Sequence, residues 1–151
     1  MGYSHYWYRK KEYTQKKFDA FVTDVKAIIE KGGVPIRGND GNGEPNVNSG
    51  IVAFNGDAES GNNHETFFFP RTITQEHLKY HREYENGIFF FCKTARKPYD
   101  NVVTACLIAV KEHFPDIKVS SDGDTGEWED GLKLYALATG RVAVWPVSKD
   151  E

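Results

Sequence analysis

The segment Ile88-Phe89-Phe90-Phe91-Cys92-Lys93-Thr94-Ala95-Arg96-Lys97-Pro98-Tyr99-Asp100 has the residue types and spacing to hold an anion. An apolar strand runs into a basic turn, and Pro98 opens an apolar helix at the position proline favours. The first turn of such a helix presents unpaired backbone N–H groups and the positive end of its macrodipole. With Lys93, Thr94, Arg96 and Lys97 just ahead of it, the turn would hold a phosphate or carboxylate. The plainer reading of the same residues is a solvated strand–helix turn, with Asp100 satisfying the helix N–H groups.

Other constellations carry less. Cysteine phosphatases separate Cys from Arg by five residues, whereas three separate Cys92 from Arg96, too short a turn to wrap three phosphoryl oxygens. His64-Glu65-Thr66 matches one half of a two-histidine phosphoesterase signature. The partner would be His5, in His5-Tyr6-Trp7, which lacks the hydroxyl; together the two histidines could act as base and acid. His77 and His81 have helical spacing for zinc, but no third ligand is signalled and an exposed helix face explains them. Asp122, Asp124, Glu127, Glu129 and Asp130 lack EF-hand spacing, so no metal is expected. Val119-Ser120-Ser121-Asp122-Gly123 ends a strand in a polar turn that either meets a ligand or simply turns. Tyr6, Trp7 and Tyr8 followed by Arg9-Lys10-Lys11 pair stacking faces with cations, as base recognition requires, although aromatic strands also serve as core or subunit interface.

The elements that must position these residues follow from periodicity. Tyr3, His5 and Trp7 alternate with Ser4, Tyr6 and Tyr8 as a strand. Thr14 caps a helix whose Phe18, Phe21, Val22, Val25, Ile28 and Ile29 share one face, ending at Gly32-Gly33. Long loops are expected at about 38–50 and 56–63. Short strands fall at Ile51–Asn55, Glu65–Phe69, Ile88–Cys92 and Ile117–Ser120, with a brief helix from Thr74 to Tyr84. Pro98 to Phe114 reads as a helix buried on most sides, and Asp124 with Glu127 as a capping box for another that Gly140 ends. Arg141–Trp145 reads as a closing strand. The order predicts an α+β fold: a single compact domain over 1–151, with a mixed or mostly antiparallel sheet packed with two or three helices.

Composition narrows the class. The chain has 151 residues, 14% aromatic and 27% charged, with 19 basic and 22 acidic residues and a net charge of −3, which argues against duplex nucleic acid as partner. The longest apolar run, Ala105 to Val110, is far short of the roughly 20 residues of a spanning helix, so no membrane partner is expected. No secretion signal is visible, and Cys92 and Cys106 sit in apolar surroundings as reduced thiols would, which suggests the cytoplasm.

Four ordered segments carry a resemblance. Gly2-Tyr3-Ser4-His5-Tyr6-Trp7, Glu65-Thr66-Phe67-Phe68-Phe69-Pro70-Arg71, Cys92 through Asp100, and Val119 through Gly123 resemble a family of small uncharacterised proteins of tailed bacteriophages and bacterial genomes. The resemblance implies no catalytic role for any residue. It implies a phage setting, in which small proteins commonly sequester or destroy nucleotide immune signals of the host. The expectation is therefore an oligomeric binding protein, active in the host cytoplasm, that sequesters a phosphorylated small molecule such as a cyclic nucleotide. It would need no cofactor. Arg71, Lys93, Thr94 and Arg96 would take phosphate, Tyr6, Trp7 or Tyr99 would stack a base, and Asp122 would read ribose or base edges. The alternatives are a phosphoesterase using His5 and His64, or a protein-binding inhibitor of a host defence factor.

Overall fold

A strand of alternating character, Ser4–Arg9 (β1), sits inside a four-stranded sheet of the computed structural model, which describes residues 2–148. Met1 and residues 149–151, which the single-domain reading includes, lie outside the described residues. The other elements are α1 (Gln15–Lys31), β2 (Asn46–Asn48), β3 (Ile51–Phe54), β4 (Phe67–Pro70), α2 (Gln75–Leu78), β5 (Glu83–Tyr84), β6 (Gly87–Lys93), α3 (Asp100–His113), β7 (Lys118–Ser121) and α4 (Glu129–Thr139). The fold is α+β. Its strands pair antiparallel in two sheets, ordered β5-β6-β1-β7 and β2-β3-β4.

Register decides which residues face the core. β1 pairs His5 with Cys92 and Ser121, and Trp7 with Phe90 and Val119. The period of two sends this set inward and Tyr6, Tyr8, Phe89 and Phe91 outward. Trp7, Cys92 and Val119 have no exposed surface. Their core continues into Phe67 and Phe69 of β4 and into the helices.

Thr14 caps α1 by accepting from the Lys17 N–H, and Phe18, Phe21, Val25 and Ile28 are fully buried. Val102 to Val110 of α3 are buried without a break, because α3 packs against both α1 and α4. A Cβ on Gly131 would lie 2.0 Å from Thr104 Oγ1, so glycine is what lets α4 approach α3 this closely. The expected capping box exists: Asp124 Oδ1 accepts from the Glu127 N–H at 3.0 Å and Glu127 Oε1 from the Asp124 N–H at 3.2 Å. It starts a turn over Gly126–Trp128 that leads into α4.

Three expectations are corrected. The helix expected from Thr74 to Tyr84 stops at Leu78, and Glu83–Tyr84 instead forms a hairpin with β6, since Glu85-Asn86 ahead of a Gly87 at φ 130° closes a two-residue turn. Among the described residues Arg141–Trp145 forms no strand and joins no sheet. Only Val147 bridges Val119, while Val142 and Val144 stay 92% and 83% exposed. Inside the expected loop at 38–50, Asn46–Asn48 pairs with β3 because Val47 reaches the core. Cys92 and Cys106 are buried and unpaired, and burial pushes both thiols up. No helix among the described residues is long and apolar enough to cross a membrane.

Candidate functional site

The turn after β6 brings the four segments of the resemblance together. The Tyr3 carbonyl accepts from the Thr94 and Ala95 N–H groups at 3.1 and 3.2 Å. Ala95 and Arg96 then take φ of 54° and 58°, a left-handed conformation that costs a non-glycine residue about 1–2 kcal/mol. This turn lays the Arg96 guanidinium over the Tyr3 ring, 4.1 Å from its centroid, and against Glu127 Oε2 at 2.7 Å. Tyr3, Arg96, Lys97, Pro98, Asp100, Asn101 and Glu127 line a cleft of about 220 Å³. A Cβ on Gly123 would stand 2.1 Å from the Tyr3 hydroxyl, so the β7 corner closes on Tyr3 only because residue 123 is glycine. That buried hydroxyl has no hydrogen-bond partner among the described residues. Burial, followed by the Asp100 and Glu127 charges, holds its pKa well above the usual phenol range.

Beneath the cleft runs a chain of hydrogen bonds. His5 Nε2 lies 2.7 Å from Asp100 Oδ1, which also accepts from the Thr94 hydroxyl at 2.6 Å. His5 Nδ1 lies 2.8 Å from Ser121 Oγ. Ser121 Oγ accepts from the Gly123 N–H at 2.9 Å and from the Trp128 indole N–H at 3.1 Å. Indole and amide can only donate, so both lone pairs of Ser121 Oγ are engaged and its hydrogen goes to His5 Nδ1. That assigns the His5 hydrogen to Nε2, donating to Asp100. The Tyr3 and Trp128 rings meet His5 edge-on, each with centroids 5.2 Å away.

Serine, histidine and aspartate are the residue types of a hydrolytic triad. Here Ser121 has no free lone pair for attack and His5 has no exposed surface. The group of this chain that lines the cleft is Asp100, and the hydrogen bonds to its side chain end on Oδ1.

The eight expected ligand residues fall in four places. Arg96 is at the cleft, with Thr94 beneath it, fully buried and donating to Asp100. Tyr6, Lys93 and Asp122 belong to the opposite face of the sheet: Asp122 accepts from the Ser4 N–H at 3.0 Å and from the Tyr6 hydroxyl. Trp7 and Tyr99 are corrected to core positions. Trp7 stacks on Phe90, and Tyr99 donates to the Glu65 carbonyl, so neither ring can receive a base. Arg71 is corrected too. It binds Glu12 and the Tyr13 carbonyl beside Arg9, at the far end of β1, about 17 Å from the cleft by strand rise.

The expected anion cradle is also revised. The α3 entry folds as a tight turn in which Lys97 N–H donates to Thr94, Asp100 N–H to Lys97, and Val102 and Val103 N–H to Tyr99. Few amides remain unpaired, and the cleft sets two carboxylates against its two cations. His64 is exposed, its backbone held by the Asn55 side chain, while Thr66 Oγ1 accepts from Asp40 N–H and clamps the long loop. His5 and His64 therefore do not form an acid–base pair. His77 closes a capping box with Thr74, and His81 lies flat on Phe90 at 3.8 Å, where desolvation lowers its pKa; neither is on a simple exposed face. Among the described residues no cluster of three or more His, Cys, Asp or Glu is placed to hold a metal.

Tyr3, Asn101 and Glu127 were not singled out from sequence as site residues, and Asp100 was read only as a partner for helix N–H groups. Tyr3 and Asp100 lie in the four segments and Glu127 in the capping box, while Asn101 carried no signal; the bond that places Asp100 joins residues 95 apart in the chain. Comparison with known protein families, curated proteins and solved structures finds no match.

Proposed function

We propose that this protein binds and sequesters a small phosphorylated ligand, a cyclic nucleotide of the kind that carries an immune signal, with the cleft taking its phosphoribosyl end. The observation that carries the reading is a single concavity offering both halves of the recognition chemistry. Arg96 and Lys97 suit phosphate, while Asp100, Asn101 and Glu127 suit ribose hydroxyls and base N–H groups. An entering phosphate takes Arg96 from Glu127, whose carboxylate then accepts from a hydroxyl. At about 220 Å³ the cleft is smaller than the roughly 300–1,000 Å³ of a pocket for a whole drug-sized ligand, so a dinucleotide extends beyond it. A second copy of the chain would cover the remainder. Exposed Leu137, Val142 and Val144 offer apolar surface for such an assembly. The resemblance to phage proteins supplies the setting, inhibition of a host defence in the host cytoplasm.

Sequestration is favoured over cleavage because His5 and Ser121 are spent on each other. A second reading, phosphoesterase activity, rests on Asp100 alone, whose Oδ2 is left out of the network and could act as a base. Incubation with a panel of cyclic nucleotides, followed by heat release and chromatography, separates the two. Intact ligand supports sequestration and linear product supports cleavage. Arg96→Ala is expected to weaken binding about tenfold or more, as loss of a charge-assisted contact does, and Arg71→Ala to leave it unchanged. If no nucleotide raises the Tm, or if Arg96→Ala binds like the parent, the reading fails.

A further inference from the structure

Among the described residues no element covers the outer face of the four-stranded sheet, and its composition is unlike that of the core. Its inner face, with Trp7, Ile88, Phe90, Cys92 and Val119, packs into one core with residues of α1 and α3. On the outer face the register places Tyr6 opposite Phe91, Tyr8 opposite Phe89 and Tyr84 opposite Gly87. Every apolar side chain on that face is a ring, with no leucine, isoleucine or valine among them; the remaining positions are serine, lysine and glycine. The rings form a continuous set. Phe89 lies 6.1 Å from Tyr6, 5.2 Å from Tyr8 and 6.0 Å from Phe91, and Tyr84 meets Tyr8 at 5.9 Å. Phe91 and Tyr84 remain 48% and 44% exposed.

Charge on this face is also arranged. Lys93 stands beside Ser4 at one end of the ring set and Lys118 beside Tyr8, and among the described residues neither ammonium has a partner. The Arg82 guanidinium sits over the Tyr84 ring at 5.1 Å, again without an ion pair among the described residues. The nearby carboxylates are mostly occupied: Asp122 by Ser4 N–H and Tyr6, and Glu83 by Lys11. Glu85, in the turn between β5 and β6, is the exception. Unpaired cations thus border a floor of aromatic rings even though the chain as a whole is acidic.

We infer that this face is a stacking platform for single-stranded nucleic acid. Bases lie on Tyr6, Tyr8, Phe89 and Phe91, and Lys93, Lys118 and Arg82 take the phosphates that pass between the rings. The platform lies on the side of the sheet opposite the Arg96 cleft and takes a polymer instead of a small molecule, so it stands or falls independently of the proposed cleft ligand. A duplex is a poor occupant, since its bases are already stacked and cannot reach the rings.

The test is fluorescence anisotropy of a labelled 12-residue oligo-dT and oligo-U, titrated at several salt concentrations, with a duplex of the same length as control. The expected result is single-strand binding that weakens with salt and exceeds duplex binding. Phe91→Ser and Phe89→Ala should each lower affinity by about 5- to 150-fold. Lys93→Ala with Lys118→Ala should flatten the log–log salt dependence by about 0.7 for each phosphate contact removed. Arg96→Ala should leave oligonucleotide binding unchanged. Phe91 is half exposed, and a Tm measurement on Phe91→Ser confirms that the variant is folded. Absence of single-strand binding at low salt, or binding that Phe91→Ser does not weaken, overturns the inference. A concentration-dependent dimer that Phe91→Ser dissolves, without oligonucleotide binding, assigns the face to self-association and overturns it equally.

Discussion

The molecule contains two histidine–aspartate pairs of nearly the same length in different settings. His5 and Asp100 meet at 2.7 Å beneath a cleft, and His113 and Asp24 meet at 2.6 Å where three helices converge. In the second pair Asp24 Oδ2 also binds Arg141, so one carboxylate ties α1, the end of α3 and the residue after α4. Arg141 is half exposed and bonded further to the Tyr135 hydroxyl at 3.1 Å. Among the described residues no Arg or Lys bonds to the first pair, and Arg96 acts on Asp100 only through its charge. The pair's partners are hydroxyls, an amide and an indole, and its histidine is sealed by two rings. The same two residue types therefore serve as a helix clasp in one place and as the floor of a cleft in the other. Surroundings decide the role: a guanidinium saturates Asp24, whereas Asp100 keeps an oxygen outside its network.

The contrast can be broken by substitution. Asp100→Ala strands the His5 Nε2–H and the Thr94 hydroxyl in the interior, each a loss of about 1–3 kcal/mol, and should destabilise the fold by about 3 kcal/mol in urea unfolding. Asp24→Ala releases the half-exposed Arg141 guanidinium and a partly exposed imidazole, both of which can turn to water, so the loss should be smaller, about 2 kcal/mol. If Asp24→Ala proves the more damaging, the clasp and not the buried network is the stronger of the two. Ser121→Ala leaves the His5 Nδ1, the Gly123 N–H and the Trp128 indole without their shared oxygen and should cost about 1–2 kcal/mol, with no effect at the clasp. Asp100→Asn keeps an Oδ1 acceptor for both bonds. It should unfold within about 1 kcal/mol of the parent while altering ligand affinity at the cleft, an outcome that a purely structural Asp100 would not give.

The smallest effect concerns alkaline pH. Tyr3 beside one pair and Tyr135 beside the other are both held above the ordinary phenol value of 10, chiefly by burial, and so are Tyr6, Tyr13 and Tyr99. The folded state therefore keeps protons that the unfolded chain releases. The buried Cys92 and Cys106 thiols, raised from 9.0, act in the same sense. Stability therefore begins to fall above about pH 9 and falls further above pH 10, where the phenols add to it. Arg9 acts in the opposite sense. Its buried guanidinium, served by backbone carbonyls and the Phe69 and Tyr13 rings, is lowered to about 10, so it alone adds stability between that pH and 12.5. Five phenols and two thiols against one guanidinium predict a net loss. Absorbance of phenolate at 295 nm should rise later in the native protein than in urea.

How far the site was legible is clearest at three residues. Arg96 could be placed beside a helix entry from local sequence, because strand, basic turn and Pro98 are contiguous. Trp7 was misread as a ligand ring because alternation marks two faces of a strand without saying which one a helix covers. Asp100 was read as serving helix N–H groups, since the partner that decides its role, His5, lies 95 residues away in the chain.

Local order in the chain determined the α+β class, the Thr14 and Asp124 caps, the apolar faces of α1 and α3, and the basic turn after β6. Each depends on residues a few positions apart, whose spacing and hydrogen-bonding chemistry act before the chain is folded. Long-range pairing decided the rest: that the Arg96 guanidinium meets Glu127, that Tyr6 and Lys93 leave the cleft for the opposite face, and that Glu83–Tyr84 completes a sheet. Strand register and helix docking bring distant residues within a few ångströms, and no pattern in neighbouring positions encodes that distance.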